Sequence, residues 1–220
     1  MAGSSATAAA ASYWYSFEAG PVHFAMVNTE LALGSGAQLA WLDADLAAVD
    51  RAHTPWVVVM GHRPLQSGLG DSAAINQLFD RHEVDLTVAG HVHYARQSCA
   101  LRGGKCVLAP NVSMGYDGVV HVIAGNGGQA LNNASARSDE FPYTGSGCDW
   151  DTSNCTAAKK ITGPTQGSGT EFGWSYFEAN ATALRWSFIG NNDSLAHHTF
   201  EIARAFPRAG SKRTAGVPAP

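Results

Sequence analysis

The chain has 220 residues, 45% of them apolar, and its 14 basic and 18 acidic side chains leave a net charge of −4. That length suffices for one domain with its own core, and without clustered Lys or Arg the composition argues against nucleic acid or an anionic membrane surface as partner. No apolar run approaches the roughly 20 residues of a membrane-spanning helix.

Residues 1–12 are Ala- and Ser-rich and read as a disordered tail. They lack the charged start and apolar core of a signal peptide. Residues 22–27 read as a strand. Ser35 and Gln38 have the spacing of a capping box, and Leu39, Leu42, Leu46 and Val49 recur at helical spacing through Asp50. Residues 56–60 are a continuous apolar, β-branched run between Pro55 and Gly61, the pattern of a strand buried on both faces. Gly61, His62 and Arg63 come directly after it. A helix is expected over 72–81, with Ile75, Leu78 and Phe79 on one face, and a second buried strand over 84–89. Gly90, His91, Val92 and His93 stand at that strand's end.

Strand, helix, strand, helix, strand over residues 22–93 describes βαβ units with parallel strands. Ligands of open α/β sheets gather beyond the carboxyl ends of the strands, where His62, His91 and His93 all fall. Imidazole suits zinc, iron and manganese, and two independent strand–Gly–His junctions converging on one edge point to metal ligands. Arg63 has the geometry to grip a phosphate oxygen bidentately, or to pair with a surface acid. His23, His53, His82 and His121 read as structural or exposed, and His197 and His198 as surface residues.

Residues 120–124 form a further strand, ending in the tight turn 125–128. Residues 129–170 are rich in Ser, Gly, Thr and Asn and read as a long surface excursion. Residues 176–179 and 183–188 flank a hairpin turn, and 199–203 form a last short strand. Cys99, Cys106, Cys148 and Cys155 make two pairs with six residues between partners. Two short disulfide loops are the simplest interpretation; a zinc site would show tighter spacing. Asn111, Asn133, Asn154, Asn180 and Asn192 each open an Asn-x-Ser/Thr sequon. With the cysteines they suggest a glycoprotein of the secretory route, secreted or vacuolar/lysosomal.

The run Val58-Val59-Met60-Gly61-His62 is similar to the fourth signature block of the purple acid phosphatases, and Gly90-His91-Val92-His93 resembles the fifth, Gly-His-x-His. The flanks agree, among them the segments 15–24, 38–51, 54–56, 120–125 and 172–175, so the resemblance covers residues 13–203. It implies an α/β fold: the C-terminal half of a four-layer αββα metallophosphoesterase sandwich, with a β-rich C-terminal segment. The corresponding domain division is a tail at 1–12, the catalytic-domain half at 13–115, the β-rich region at 116–204 and a second tail at 205–220. The implied cofactor is a dinuclear centre, Fe(III) with Zn, Fe or Mn. Carried over, His62 and His91 hold the divalent ion and His93 the iron, and the implied substrates are small phosphate monoesters. The family's first three blocks, Asp-x-Gly, Gly-Asp-x-x-Tyr and Gly-Asn-His-Asp/Glu, are not in this sequence. By the resemblance the chain is therefore expected to be truncated and to lack the oxygen ligands of the site. Two alternatives keep the fold: a non-catalytic secreted glycoprotein, or a phosphodiesterase or nucleotidase.

Overall fold

A computed structural model describes residues 13–31, 33, 36–65, 72–93, 95–103, 105–106, 118–128 and 172–204. The elements in chain order are β1 (Tyr15–Ala19), β2 (Val22–Met26), α1 (Ala37–Ala48), β3 (Trp56–Gly61), α2 (Ser72–Arg81), β4 (Leu86–Ala89), β5 (Ala95–Arg102), β6 (Lys105–Cys106), β7 (Val119–Ala124), β8 (Gly173–Ala179), β9 (Ala183–Gly190) and β10 (Ala196–Ala203). A seven-stranded sheet has the order β1-β2-β3-β4-β7-β5-β6, and a three-stranded sheet the order β10-β9-β8. The strands β2, β3, β4 and β7 run parallel, with Phe24 beside Val58, Val58 beside Leu86 and Leu86 beside Val120. Their carboxyl ends therefore share one rim. The outer strands β1, β5 and β6 are antiparallel additions.

The apolar runs are buried on two faces because successive strand residues point to opposite sides. Val57 and Val59 join Leu42 and Leu46 of α1 and Ile75, Leu78 and Phe79 of α2 in one core. Trp56, Val58, Leu86, Val88, Val120 and Val122 join Leu184, Trp186 and Phe188 of the smaller sheet in the other. The described residues thus form three layers: helices, the large sheet and the small sheet.

Several expectations change in detail. The capping box does not form: Gly36 is the N-cap of α1, at φ 81°, and no side chain caps the helix. Gln38 is instead buried and bonds Asn28 twice, accepting from its backbone N–H at 2.7 Å and donating to its carbonyl at 3.0 Å. The helix ends at Ala48, and Val49 turns to an extended conformation. Strands β5 and β6 have no counterpart among the elements expected from sequence, and the segment 15–24 spans β1 and the start of β2. The excursion expected at 129–170 lies outside the described residues.

A buried charge network closes the lower end of the sheet, opposite the rim. Asp85 is fully buried just before β4. Its carboxylate accepts from Arg51 at 2.9 Å and from the Val57 backbone at 2.8 Å, and it pairs with Arg204 beyond β10. Arg51 also donates to the carbonyls of Pro55, His82 and Glu83 at 2.9, 2.7 and 2.7 Å, and the Arg204 guanidinium lies over the Trp56 ring at 5.3 Å.

Candidate metal centre

The rim gathers the residues just past each parallel strand: Asn28, Thr29 and Glu30 after β2, His62 and Arg63 after β3, His91, Val92 and His93 after β4, and Gly125 and Asn126 after β7. Two glycines set how closely these loops pack. A Cβ on Gly61 would stand 2.5 Å from Cγ2 of Thr29, and one on Gly125 would stand 1.9 Å from the Val92 carbonyl oxygen. Gly125→Ala is therefore expected to push the 91–93 loop aside and to cost about 1–3 kcal/mol, checked by urea denaturation. A neutral outcome would mean that the two loops are not in contact.

The histidine junctions are hydrogen-bonded to each other through the backbone, with Gly90 N–H donating to His62 O at 2.9 Å. His91 then adopts φ 61°, the left-handed region, which a residue with a Cβ rarely enters. The conformation carries its ring back to His62. Nδ1 of His91 lies 3.1 Å from Nε2 of His62, the ring centroids 4.9 Å apart at 75°. His93, half-buried, comes next on the same loop.

Arg63 is fixed at three points. Its N–H donates to Oγ1 of buried Thr29 at 2.8 Å. Its Nε and one terminal nitrogen donate to the two carboxylate oxygens of Glu30 at 2.8 and 3.1 Å, and the other terminal nitrogen donates to Nε2 of His91 at 3.0 Å. The guanidinium holds the Glu30 carboxyl below the usual carboxylate range, and the carboxylate raises Arg63 in turn. Of the two roles open to Arg63 from sequence, its partner here is an acid.

Two of the three predicted ligands are thus brought into contact. Among the described residues no group of three or more His, Cys, Asp or Glu is arranged to hold a metal ion. The His62–His91 pair nonetheless fits one. Imidazole nitrogens bound at about 2.0–2.1 Å to one tetrahedral zinc stand roughly 3.3 Å apart, close to the separation seen. Glu30 and Thr29 do not stand out from sequence, although they lie past the end of β2 as the histidines lie past β3 and β4.

The remaining candidates divide. His23 is buried against Asp45 at 2.9 Å, His82 reaches Asp43 at 2.5 Å, exposed His53 meets Asp50 at 2.8 Å, and buried His121 meets Thr87 at 2.6 Å. These are structural contacts away from the rim. Asn180 and Asn192 lie on exposed turns at the ends of β9. The hairpin register sets Leu101 opposite Cys106. The side chains of Cys99, Cys106, His197 and His198, and all of Cys148, Cys155, Asn111, Asn133 and Asn154, lie outside the described residues.

Residues 16–95 match the calcineurin-like phosphoesterase family. The chain is 28% identical over 203 residues to the probable inactive purple acid phosphatase 9 of Arabidopsis thaliana, covering 86% of this chain and 28% of that protein. It is 33% identical over 161 residues to acid phosphatase A of Cryphonectria parasitica, covering 60% of this chain and 32% of that one. The structure of purple acid phosphatase PPD1 from yellow lupin shares the fold at a TM-score of 0.67 and 23% identity, over 87% of this chain and 32% of that chain. Residues 16–95 thus match a calcineurin-like phosphoesterase domain, and the chain as a whole is similar to purple acid phosphatases. It spans about a third of the length of these relatives.

Proposed function

We propose that this chain carries the histidine side of a dinuclear centre for hydrolysing small phosphate monoesters, with His62 and His91 on the divalent ion and His93 on the iron. The observation that carries this reading is the contact between His62 and His91 at the ends of adjacent parallel strands. Bound metals of this kind supply Lewis acidity, an activated water and charge stabilisation for in-line displacement. The chain's own work is to hold the ions, through imidazoles fixed by the Gly90–His62 backbone bond, and to offer Arg63 as a bidentate grip on a phosphate oxygen. Hard ferric iron favours oxygen ligands, and the three blocks that supply them are not in this sequence. These histidines on their own therefore favour zinc or another divalent ion.

Titration of the purified chain with zinc by calorimetry is expected to show one site, weakened more than about tenfold by His62→Ala or His91→Ala. Equal affinity in the variants and the parent would overturn the reading. A second reading is a non-catalytic protein that keeps the fold and one metal, in keeping with the similarity to a probable inactive purple acid phosphatase. It predicts zinc binding without hydrolysis of p-nitrophenyl phosphate. Hydrolysis abolished by His91→Ala decides for the enzyme. Asn180 and Asn192, on exposed turns, are the proposed glycan acceptors among the described residues, in keeping with a secretory-route protein. No helix of the described residues is long and apolar enough to cross a membrane.

A further inference from the structure

Arg63 and Glu30 do more than decorate the rim, because of where the protons must sit. A guanidinium has only N–H donors, so Nε2 of His91, 3.0 Å from Arg63, accepts with its lone pair. A neutral imidazole that accepts at Nε2 carries its proton on Nδ1. That Nδ1–H faces Nε2 of His62 at 3.1 Å, which must then be the acceptor. The chain of donation runs Arg63 to His91 to His62, and it engages both nitrogens of His91 and the facing nitrogen of His62. A metal ion held between the rings would need lone pairs at Nδ1 of His91, which here carries the proton, and at Nε2 of His62, which here accepts it.

We infer that Glu30 and Arg63 form a latch that keeps the proton of His91 on Nδ1, the nitrogen facing His62, so that a metal ion can enter between the two rings only when Arg63 lets go of His91. Glu30 is the positioning residue. Its two carboxylate oxygens take Nε and one terminal nitrogen of Arg63, and the rigid fork leaves the other terminal nitrogen aimed at His91. The Thr29 hydroxyl, accepting the Arg63 N–H, fixes the backbone beneath. The contact with His91 is a hydrogen bond from a charged donor, and because it must be broken before a metal ion enters, it weakens metal binding by about tenfold or more. Release also frees one terminal nitrogen of Arg63 beside the ion, where it can donate to a phosphate oxygen. The latch thus couples metal loading to anion binding at the same arginine.

The inference rests on the metal reading proposed above, and one set of measurements separates the two. Nitrogen-15 NMR of the histidine rings in the metal-free chain is expected to show His91 protonated at Nδ1, and Arg63→Gln is expected to shift it toward Nε2. Zinc titration is expected to tighten about tenfold in Arg63→Lys. This variant keeps the positive charge but cannot span Glu30 and His91 as the fork does. Circular dichroism should match the parent, since both side chains are about half exposed. A parent His91 protonated at Nε2, or zinc affinity unchanged in Arg63→Lys, overturns the latch and leaves the metal site standing. Failure of the parent and of both Arg63 variants to bind zinc overturns both.

Discussion

Replacing Asp85 by alanine is expected to remove about 3–5 kcal/mol of stability and to lower the thermal midpoint by roughly 10 °C. The carboxylate is fully buried and is the common partner of Arg51, Arg204 and the Val57 backbone. Its loss would strand two guanidiniums that are themselves about nine-tenths buried. An unpaired buried charge costs far more than the pair contributes. The damage would also spread, because Arg51 ties the carbonyls of Pro55, His82 and Glu83 together while Arg204 holds the end of β10 against Trp56. Urea unfolding of Asp85→Ala beside the parent is the measurement, and a loss below about 1 kcal/mol would show that the network is not structural.

Acid is the second large lever. His121 is buried on β7, and burial pushes its imidazole down to about 3 from the usual 6.5. In the unfolded chain it takes up a proton below pH 6.5; in the folded chain it does not until about pH 3. The unfolded state therefore holds more protons between those values, and stability falls as pH falls through that window. The slope approaches 1.4 kcal/mol per pH unit, about 2 kcal/mol at pH 5, while above pH 6.5 the group contributes no pH dependence. His121→Leu gives up the contact with Thr87 but cannot titrate. The stability difference between parent and variant should move by about 2 kcal/mol in the variant's favour between pH 7.5 and pH 5, and a difference independent of pH would refute this.

The central strands and α2 are legible because their burial is written in unbroken or helically spaced apolar residues. The spacing predicts a helix over 72–81, and α2 occupies Ser72–Arg81. Strand β5 escapes because Ala95 to Arg102 shows no apolar alternation. What it buries includes Ser98, whose hydroxyl accepts the backbone N–H of His121 at 2.7 Å. The capping box fails through a competition that local pattern does not show: Gln38 satisfies Asn28, ten residues earlier. The histidines are legible because parallel strands end at one rim. Glu30 is not, because its partner Arg63 lies 33 residues away and only the β2–β3 pairing brings them together.

The left-handed backbone at His91 bears on how such a site ages. A non-glycine residue there works against a local preference of roughly 1–2 kcal/mol, so glycine, or asparagine with its short polar side chain, would sit more comfortably in the same turn. Drift without selection for the imidazole runs downhill at this position. The turn would outlast the imidazole, keeping the same sheet and rim with a better-folded loop where His91 now stands.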